Sequence, residues 1–297
     1  MKEKLSVLLV LLAATIWGCI GVFIRHLNEC GFNTAQITAG KALINAGLML
    51  VLILVTDRKK LRIRLKDLGW FLANGILSIY VFNTAYSAAV TMVSLSTAVV
   101  LLYTSPAFVM LLSVLFFHER FTARKGLCLV LCIGGGALVL GIMTGFGGNT
   151  MGVVFGLVAG IGYALYSIFS GVIVKKYHPF TNVFYTFLIA GIVGAVTCDM
   201  GEAVRLTFSS KEALFWMVGS GAITSFAAYA AYTTALRYMN PSKAAIIASV
   251  EPVVATLAGV ILYKESVTFT GVAGILMVFA AVVLSNLPEK EKVVNRK

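Results

Sequence analysis

Charge is scarce in this 297-residue sequence. Asp, Glu, Lys and Arg make up 12% of it, about half the share in a soluble globular domain, and that excludes a water-covered surface over most of the chain. Histidine is scarcer still. His26, His118 and His178 are all expected in loops, so no HExxH-type site is expected within a hydrophobic run. Five cysteines, an odd number, form no disulfide framework. No Gly-x-Ser-x-Gly elbow is present. Ala35-x4-Gly40-Lys41-Ala42 falls short of a phosphate-binding loop, because the first glycine and the final Ser/Thr are missing. It also sits inside an apolar run rather than between strand and helix. No catalytic residue, metal ligand or cofactor is therefore expected. The chain is not expected to be an enzyme, and any energy source must be a gradient.

What the sequence does have is apolar length. Hydrophobic residues make up 59% of it, and the mean hydropathy is +0.94. Ten runs stand out, at 5–24, 35–55, 69–90, 94–117, 124–143, 151–173, 182–203, 212–236, 243–263 and 268–287, called spans 1 to 10 here. About 20 apolar residues suffice to cross a ~30 Å hydrocarbon core, and in lipid such runs satisfy their backbone as helices. An all-α integral membrane protein follows. The net charge of +12 is not spread like a nucleic-acid footprint. Of the 24 Lys and Arg, 19 lie on one side of the alternating topology, six of them in 58–66. Basic residues gather in short cytoplasmic loops, so both termini are expected in the cytoplasm, with the protein in the cytoplasmic (plasma) membrane of a prokaryote. Lys2-Glu3-Lys4 ahead of span 1 has the look of a signal peptide. The run that follows is too long and lacks a small-x-small cleavage site, which favours an uncleaved first helix.

The chain also repeats itself. An offset of 146 pairs Trp70 with Trp216, Tyr86 with Tyr232, Pro106 with Pro252 and Glu119 with Glu265, without a gap. Each half holds five spans. The odd number makes the second half enter the membrane opposite to the first, an inverted-topology repeat. The tryptophans agree, since Trp70 and Trp216 begin spans 3 and 8 at opposite interfaces, where indole is favoured. The expected units are a first repeat over 1–146, a second over 147–290 and a cytoplasmic tail over 291–297. No Pro/Ser-rich linker separates the halves; the glycine-rich stretch Thr144–Thr150 joins them.

Glu251, near the middle of span 9, is the most informative residue. A carboxylate at that depth costs roughly 3 kcal/mol on insertion scales, so a cavity position is its default. Pro252 follows it, freeing the carbonyl of Ala248 and opening the helix locally, and broken helices are where transporters hold substrate and ions. The alternative is a structural carboxylate bonded to nearby hydroxyls. Lys41 lies roughly 9 Å into span 2, either facing a cavity or snorkelling to the interface, with Asn45 one turn deeper. Asn83 and Tyr86 in span 3 correspond to Tyr229 and Tyr232 in span 8, and Trp17 in span 1 corresponds to Tyr163 in span 6. Buried Tyr and Trp combine an apolar face with one hydrogen-bonding atom, which suits small polar metabolites; helix packing is the competing explanation. Gly152, Gly156 and Gly160 form a small-residue ridge for close helix contact. Glu119 and Glu265 end spans 4 and 9 beside tight turns, as hairpin or gate residues.

At these residues the chain resembles the EamA-type members of the drug/metabolite transporter superfamily. Each half has a run of small-polar, Pro, apolar, Glu form: Ser94–Arg120 with Ser105-Pro106 and His118-Glu119-Arg120, and Asn240–Ser266 with Glu251-Pro252 and Lys264-Glu265-Ser266. The family often carries Arg in the second helix. Lys41 stands there instead, keeping the charge without the planar fork. The resemblance implies ten spans in two repeats, spans 5 and 10 at the periphery, and alternating access around a central cavity. Trp17, Lys41, Asn45, Asn83, Tyr86, Ser105, Tyr163, Tyr229, Tyr232 and Glu251 are expected to line that cavity. The function expected is secondary transport of small polar metabolites, above all amino-acid-like export. The alternative is a membrane sensor or binding protein, or a lipid-headgroup flippase, without metabolite transport. The expected partners are a small-molecule substrate and membrane lipid. Protons or another coupling ion stay open, nucleic acid is excluded, and a monomer is compatible.

Overall fold

Hydrophobic runs with no partner for their backbone must bond internally, and helices are what this chain forms. A computed structural model describes residues 2–93, 95–139, 149–264 and 268–287; Ser94, Gly148, Glu265, Ser266 and the tail from Pro288 lie outside the described residues. Among the described residues, nine helices are long and apolar enough to cross a membrane. They are span 1 (Lys4–Glu29), span 2 (Thr34–Thr56), span 3 (Leu65–Met92), span 4 (Thr97–Phe117), span 6 (Thr150–Ile173), span 7 (Pro179–Thr197), span 8 (Lys211–Ala235), span 9 (Pro241–Leu262) and span 10 (Phe269–Asn286). Span 5 is described over Ala123–Val139. The short helix Met200–Thr207 lies between spans 7 and 8.

Several boundaries differ from the hydropathy reading: span 7 ends at Thr197, the end of its run belonging to the separate helix Met200–Thr207, and spans 1 and 3 run longer because charges were taken as helix ends. Span 1 continues through Arg25 to Glu29, which pair at i, i+4 with N···O 3.5 Å on the helix surface. Span 3 starts at Leu65, before Asp67, whose carboxylate is buried against Lys176 and Tyr177. The start of span 2 is built as read. Asn33 accepts from the Gln36 backbone N–H, and the Gln36 side chain accepts from Asn33 in return, a capping box.

The two five-span repeats are related down to their irregularities. Span 4 breaks after Leu102 and resumes at Ser105; span 9 breaks after Ala248 and resumes at Glu251, 146 residues on. Each second segment opens with proline in its first turn, where the missing N–H costs nothing. Those segments end on His118 and Lys264, both left-handed at φ 54° and 55°. Spans 3 and 8 each contain a π-helical turn, Ile76–Val81 and Ser220–Ala227. Such matched irregularities come from a duplicated backbone rather than from local composition.

Packing obeys the same relation. Span 1 lies on span 8 as span 6 lies on span 3, and span 4 meets span 6 as span 9 meets span 1. Spans 2 and 7 pack on each other, and so do spans 5 and 10. One glycine is indispensable to this arrangement. A Cβ at Gly18 would stand 2.6 Å from Val254 Cβ and 2.8 Å from the Glu251 carbonyl oxygen, so glycine is what lets span 1 touch the break in span 9. The ridge of Gly152, Gly156 and Gly160 packs on Met92, Leu101 and Thr104 in the same way. All five cysteines are free thiols.

Candidate functional site

The break in span 9 positions Glu251 at the first residue of a helix segment, halfway along the span, where its side chain leaves the helix toward span 6. Tyr163 donates to Glu251 Oε2 at 3.0 Å, and Tyr103, from the matching break in span 4, donates to the same carboxylate. Hydrogen bonds to a charged group are worth about 1.5–3 kcal/mol each, so two phenols offset much of the burial of one carboxylate. None of the partners the structure shows for Glu251 is a cation. Lys41 does not reach it.

Aromatic rings wall the other side. Trp17 meets Tyr229 and Tyr232 at centroid distances of 4.9 and 5.2 Å, and Tyr163 at 6.2 Å. Tyr166 and Phe187 close on Tyr229 at 4.8 and 4.6 Å. Gly18, next to Trp17, lets span 1 bring the indole this deep. The Trp17 Nε1–H is buried and finds no acceptor among the described residues. A buried donor without a partner costs about 1–3 kcal/mol, a cost that a ligand atom could remove. Between these walls lies a pocket of about 10 Å³, lined by Tyr103, Ser105, Tyr163, Ser167, Tyr232 and Glu251. That is the space of one water, so the walls must part to admit anything larger.

Of the ten residues expected around one cavity, Trp17, Ser105, Tyr163, Tyr229, Tyr232 and Glu251 meet here. Tyr86 stands at the edge of this group, within electrostatic reach of Glu251, and the other three are placed elsewhere. Asn45 is fully buried and donates to Ser225 Oγ at 2.9 Å, tying span 2 to span 8. The Asn83 amide donates to the Ile79 carbonyl of its own span at 2.7 Å, beside the π turn. Tyr86 packs on the Ala89, Val93 and Ala98 cluster, 6.5 Å from Phe82. Lys41 is half-buried and makes no ion pair among the described residues. Glu119 is held by Lys125 Nζ at 2.6 Å in the 118–122 turn, and Glu265 lies outside the described residues.

Sequence reading missed Tyr103, the second donor to Glu251, although the 146 offset sets it opposite Ser249 at the span 9 break. It also missed the polar stripe on span 6. Tyr163, Tyr166, Ser167 and Ser170 recur at i, i+3, i+4 and i+7, one helix face. Ser167 Oγ bonds Tyr232 Oη at 2.7 Å, and Tyr166 Oη bonds Thr233 Oγ1 at 2.7 Å. Ser170 accepts from Asn74 and Asn182 at 3.2 and 2.8 Å, and Asn74 also donates to Thr186 at 3.0 Å. The hydroxyl spacing was the available clue.

Comparison with known proteins places this architecture. The model of the EamA-like transporter family matches residues 4–141 and again 150–287. A transporter of Archaeoglobus fulgidus, named only as such, is 28% identical over 93% of this chain and 94% of its own length. The inner membrane transporter YicL of Salmonella typhimurium is 23% identical over 98% of both chains. One crystal structure superposes with a TM-score of 0.80 at 14% identity, over 96% of this chain and 97% of the other, a likeness of fold. With both repeats matched and the relatives aligned nearly end to end, this membrane protein belongs to the EamA-like transporter family.

Proposed function

We propose that the protein is a secondary transporter of small polar, amino-acid-like metabolites, working as an exporter by alternating access around the pocket between the repeats. The observation that carries this reading is Glu251: a carboxylate halfway along span 9, at a helix break, held by hydroxyls and facing an aromatic wall with an unpartnered indole N–H. The chemistry suits a zwitterion. Glu251 accepts from an ammonium group, the Trp17 N–H donates to a carboxylate, and the rings of Tyr229 and Tyr232 cover an apolar body. The matched breaks in spans 4 and 9 supply hinges for parting the walls. The basic loops put both termini in the cytoplasm of a prokaryote.

Counterflow in proteoliposomes tests the reading, with unlabelled amino acids inside and a labelled set outside. Wild-type protein should accumulate label for at least one amino acid, and Glu251→Gln should separate two mechanisms. If Glu251 carries a proton in exchange for substrate, the variant loses proton-driven transport and keeps exchange. If Glu251 is a fixed partner for the ammonium group, the variant loses binding itself. Unchanged affinity, rate and pH dependence would make Glu251 structural and sink the proposal.

A further inference from the structure

A second cavity lies away from this pocket, at the end of the bundle that bears the 58–66 loop. It measures about 690 Å³, within the ~300–1,000 Å³ range of small-ligand sites. Lys59, Lys60, Arg62, Arg64 and Lys176 line it, against two carboxylates, Asp57 and Asp67. Both carboxylates are engaged. Asp67 is buried and accepts from Lys176 Nζ at 2.9 Å and Tyr177 Oη at 2.7 Å, and Asp57 accepts from the Lys59 backbone N–H at 3.0 Å. Lys59, Arg62 and Arg64 make no ion pair among the described residues.

The basin is built rather than draped. Thr181 donates to the Lys60 carbonyl at 2.6 Å, Tyr185 donates to the Leu61 carbonyl at 2.7 Å, and the Arg64 N–H donates to Tyr177 Oη at 3.1 Å. Three bonds, two from span 7 and one from the connection that precedes it, thus fix the loop backbone and hold the cations around a concave surface. The field there is positive. Burial first, then Lys60 and Arg237, hold the His178 imidazole below its ordinary range, with Asp57 opposing. The inverted repeat does not copy this basin, and the bias of Lys and Arg toward one face accounts for the charges but not for their concave arrangement. At the offset of 146, Lys60, Arg62 and Arg64 become Leu206, Phe208 and Ser210, and Lys59 becomes Arg205, which Glu202 neutralises at 2.6 and 2.7 Å.

We propose that this basin is a binding site for a phosphate-bearing anion, supplied by an acidic lipid headgroup or as free phosphate. Basic pockets at a membrane surface are suited to such groups, and arginine forks match phosphate oxygens in pairs. The site is separate from the transport pocket, so its test needs no substrate.

Thermal unfolding of the purified full-length protein in detergent would be titrated with inorganic phosphate, with phosphatidylglycerol in mixed micelles, and with phosphatidylcholine. The expected result is a saturable rise in the midpoint with phosphatidylglycerol, and none with phosphatidylcholine. A rise with inorganic phosphate as well would show that the free anion suffices. The double variant Arg62→Gln/Arg64→Gln should weaken the apparent affinity about tenfold or more, given roughly tenfold per 1.4 kcal/mol and ~1 kcal/mol per basic residue. Both side chains are exposed, so the ligand-free midpoint should hold. Arg120→Gln, exposed at the same end, should change affinity less than about twofold. No saturable response to either anion, wild-type affinity in the double variant, or an equal loss in Arg120→Gln would overturn the site.

Discussion

Ser105 and Glu251 occupy one backbone position in two repeats. Each opens the second segment of a broken span, each is followed by proline, and each lines the same pocket. Only one is charged. The duplication preserved the device that breaks the helix, while the chemistry concentrated in the second copy. The first copy contributes Tyr103, a donor to the carboxylate it lacks. Under the proposed alternating access, matched backbones would serve two states while an asymmetric substrate would need an asymmetric pocket.

The sharpest test of that division is a pair of substitutions at the two positions. If Glu251 is the fixed partner of the ammonium group, Glu251→Gln should lower counterflow of the best substrate by about 100-fold, the scale of a lost charge-assisted contact of ~3 kcal/mol. Ser105→Ala, at the equivalent position, should cost less than about threefold, in keeping with one neutral contact. Equal losses at both positions would erase the division of labour, leaving two hinges and no specialised half.

The two ends of the bundle close by different physics. Toward the 58–66 loop, Asn74, Ser170, Asn182 and Thr186 join spans 3, 6 and 7 through directional bonds of 2.8 to 3.2 Å. Toward the other end, the equivalent positions on spans 1 and 2 are Ile24, Gln36 and Gly40, and closure rests on an apolar cluster of Leu27, Phe32, Ile37, Ala213 and Met217. Water can replace the bonds of the first end as it opens, whereas the second must expose apolar surface at about 25 cal/mol per Å². Asn182→Ala should therefore cost about 3 kcal/mol, by stranding Asn74, Ser170 and Thr186 in a buried site. Gln36→Ala, its mate, loses one capping reciprocity and one bond to the Asp199 carbonyl, for about 1 kcal/mol. Chemical or thermal unfolding in detergent would rank them, and a larger loss at Gln36 would reverse the assignment of directional closure to the basic end.

How much of this was readable beforehand depended on the physics behind each feature. Hydropathy and length sufficed for ten spans, because crossing a bilayer demands both. The 146 offset was visible because paired Trp, Pro and Glu are rare in apolar sequence. Glu251 stood out because lipid makes a lone carboxylate costly. Tyr103 did not, since a tyrosine in an apolar run is ordinary packing until its partner is known, and that partner is 148 positions away. The Asn74, Ser170, Asn182 and Thr186 cluster was silent for the same reason, its bonds being made between spans. Asn83 was drawn toward the cavity because the π turn beside it, which positions the Ile79 carbonyl for its amide, leaves no mark on hydropathy.

The smallest expected effect separates the repeats on a single hydroxyl. Tyr232 and Tyr86 are mates at the offset, but only Tyr232 bonds a partner across spans, Ser167 Oγ at 2.7 Å. The residue matching Ser167 in span 1 is Gly21, which has no side chain to offer. Tyr232→Phe should then cost about 1 kcal/mol, the net worth of one buried neutral hydrogen bond. Tyr86→Phe should cost nothing measurable. Because the ring of Tyr232 also packs on Trp17, the loss must be assigned to the hydroxyl by a double-mutant cycle with Ser167→Ala. A coupling energy near 1 kcal/mol would confirm that span 6 binds span 8 through this bond, for which Gly21 offers no counterpart in the first repeat. A coupling near zero, with an equal loss in Tyr86→Phe, would mean that both tyrosines serve only as rings and that the asymmetry of the seam ends at Glu251.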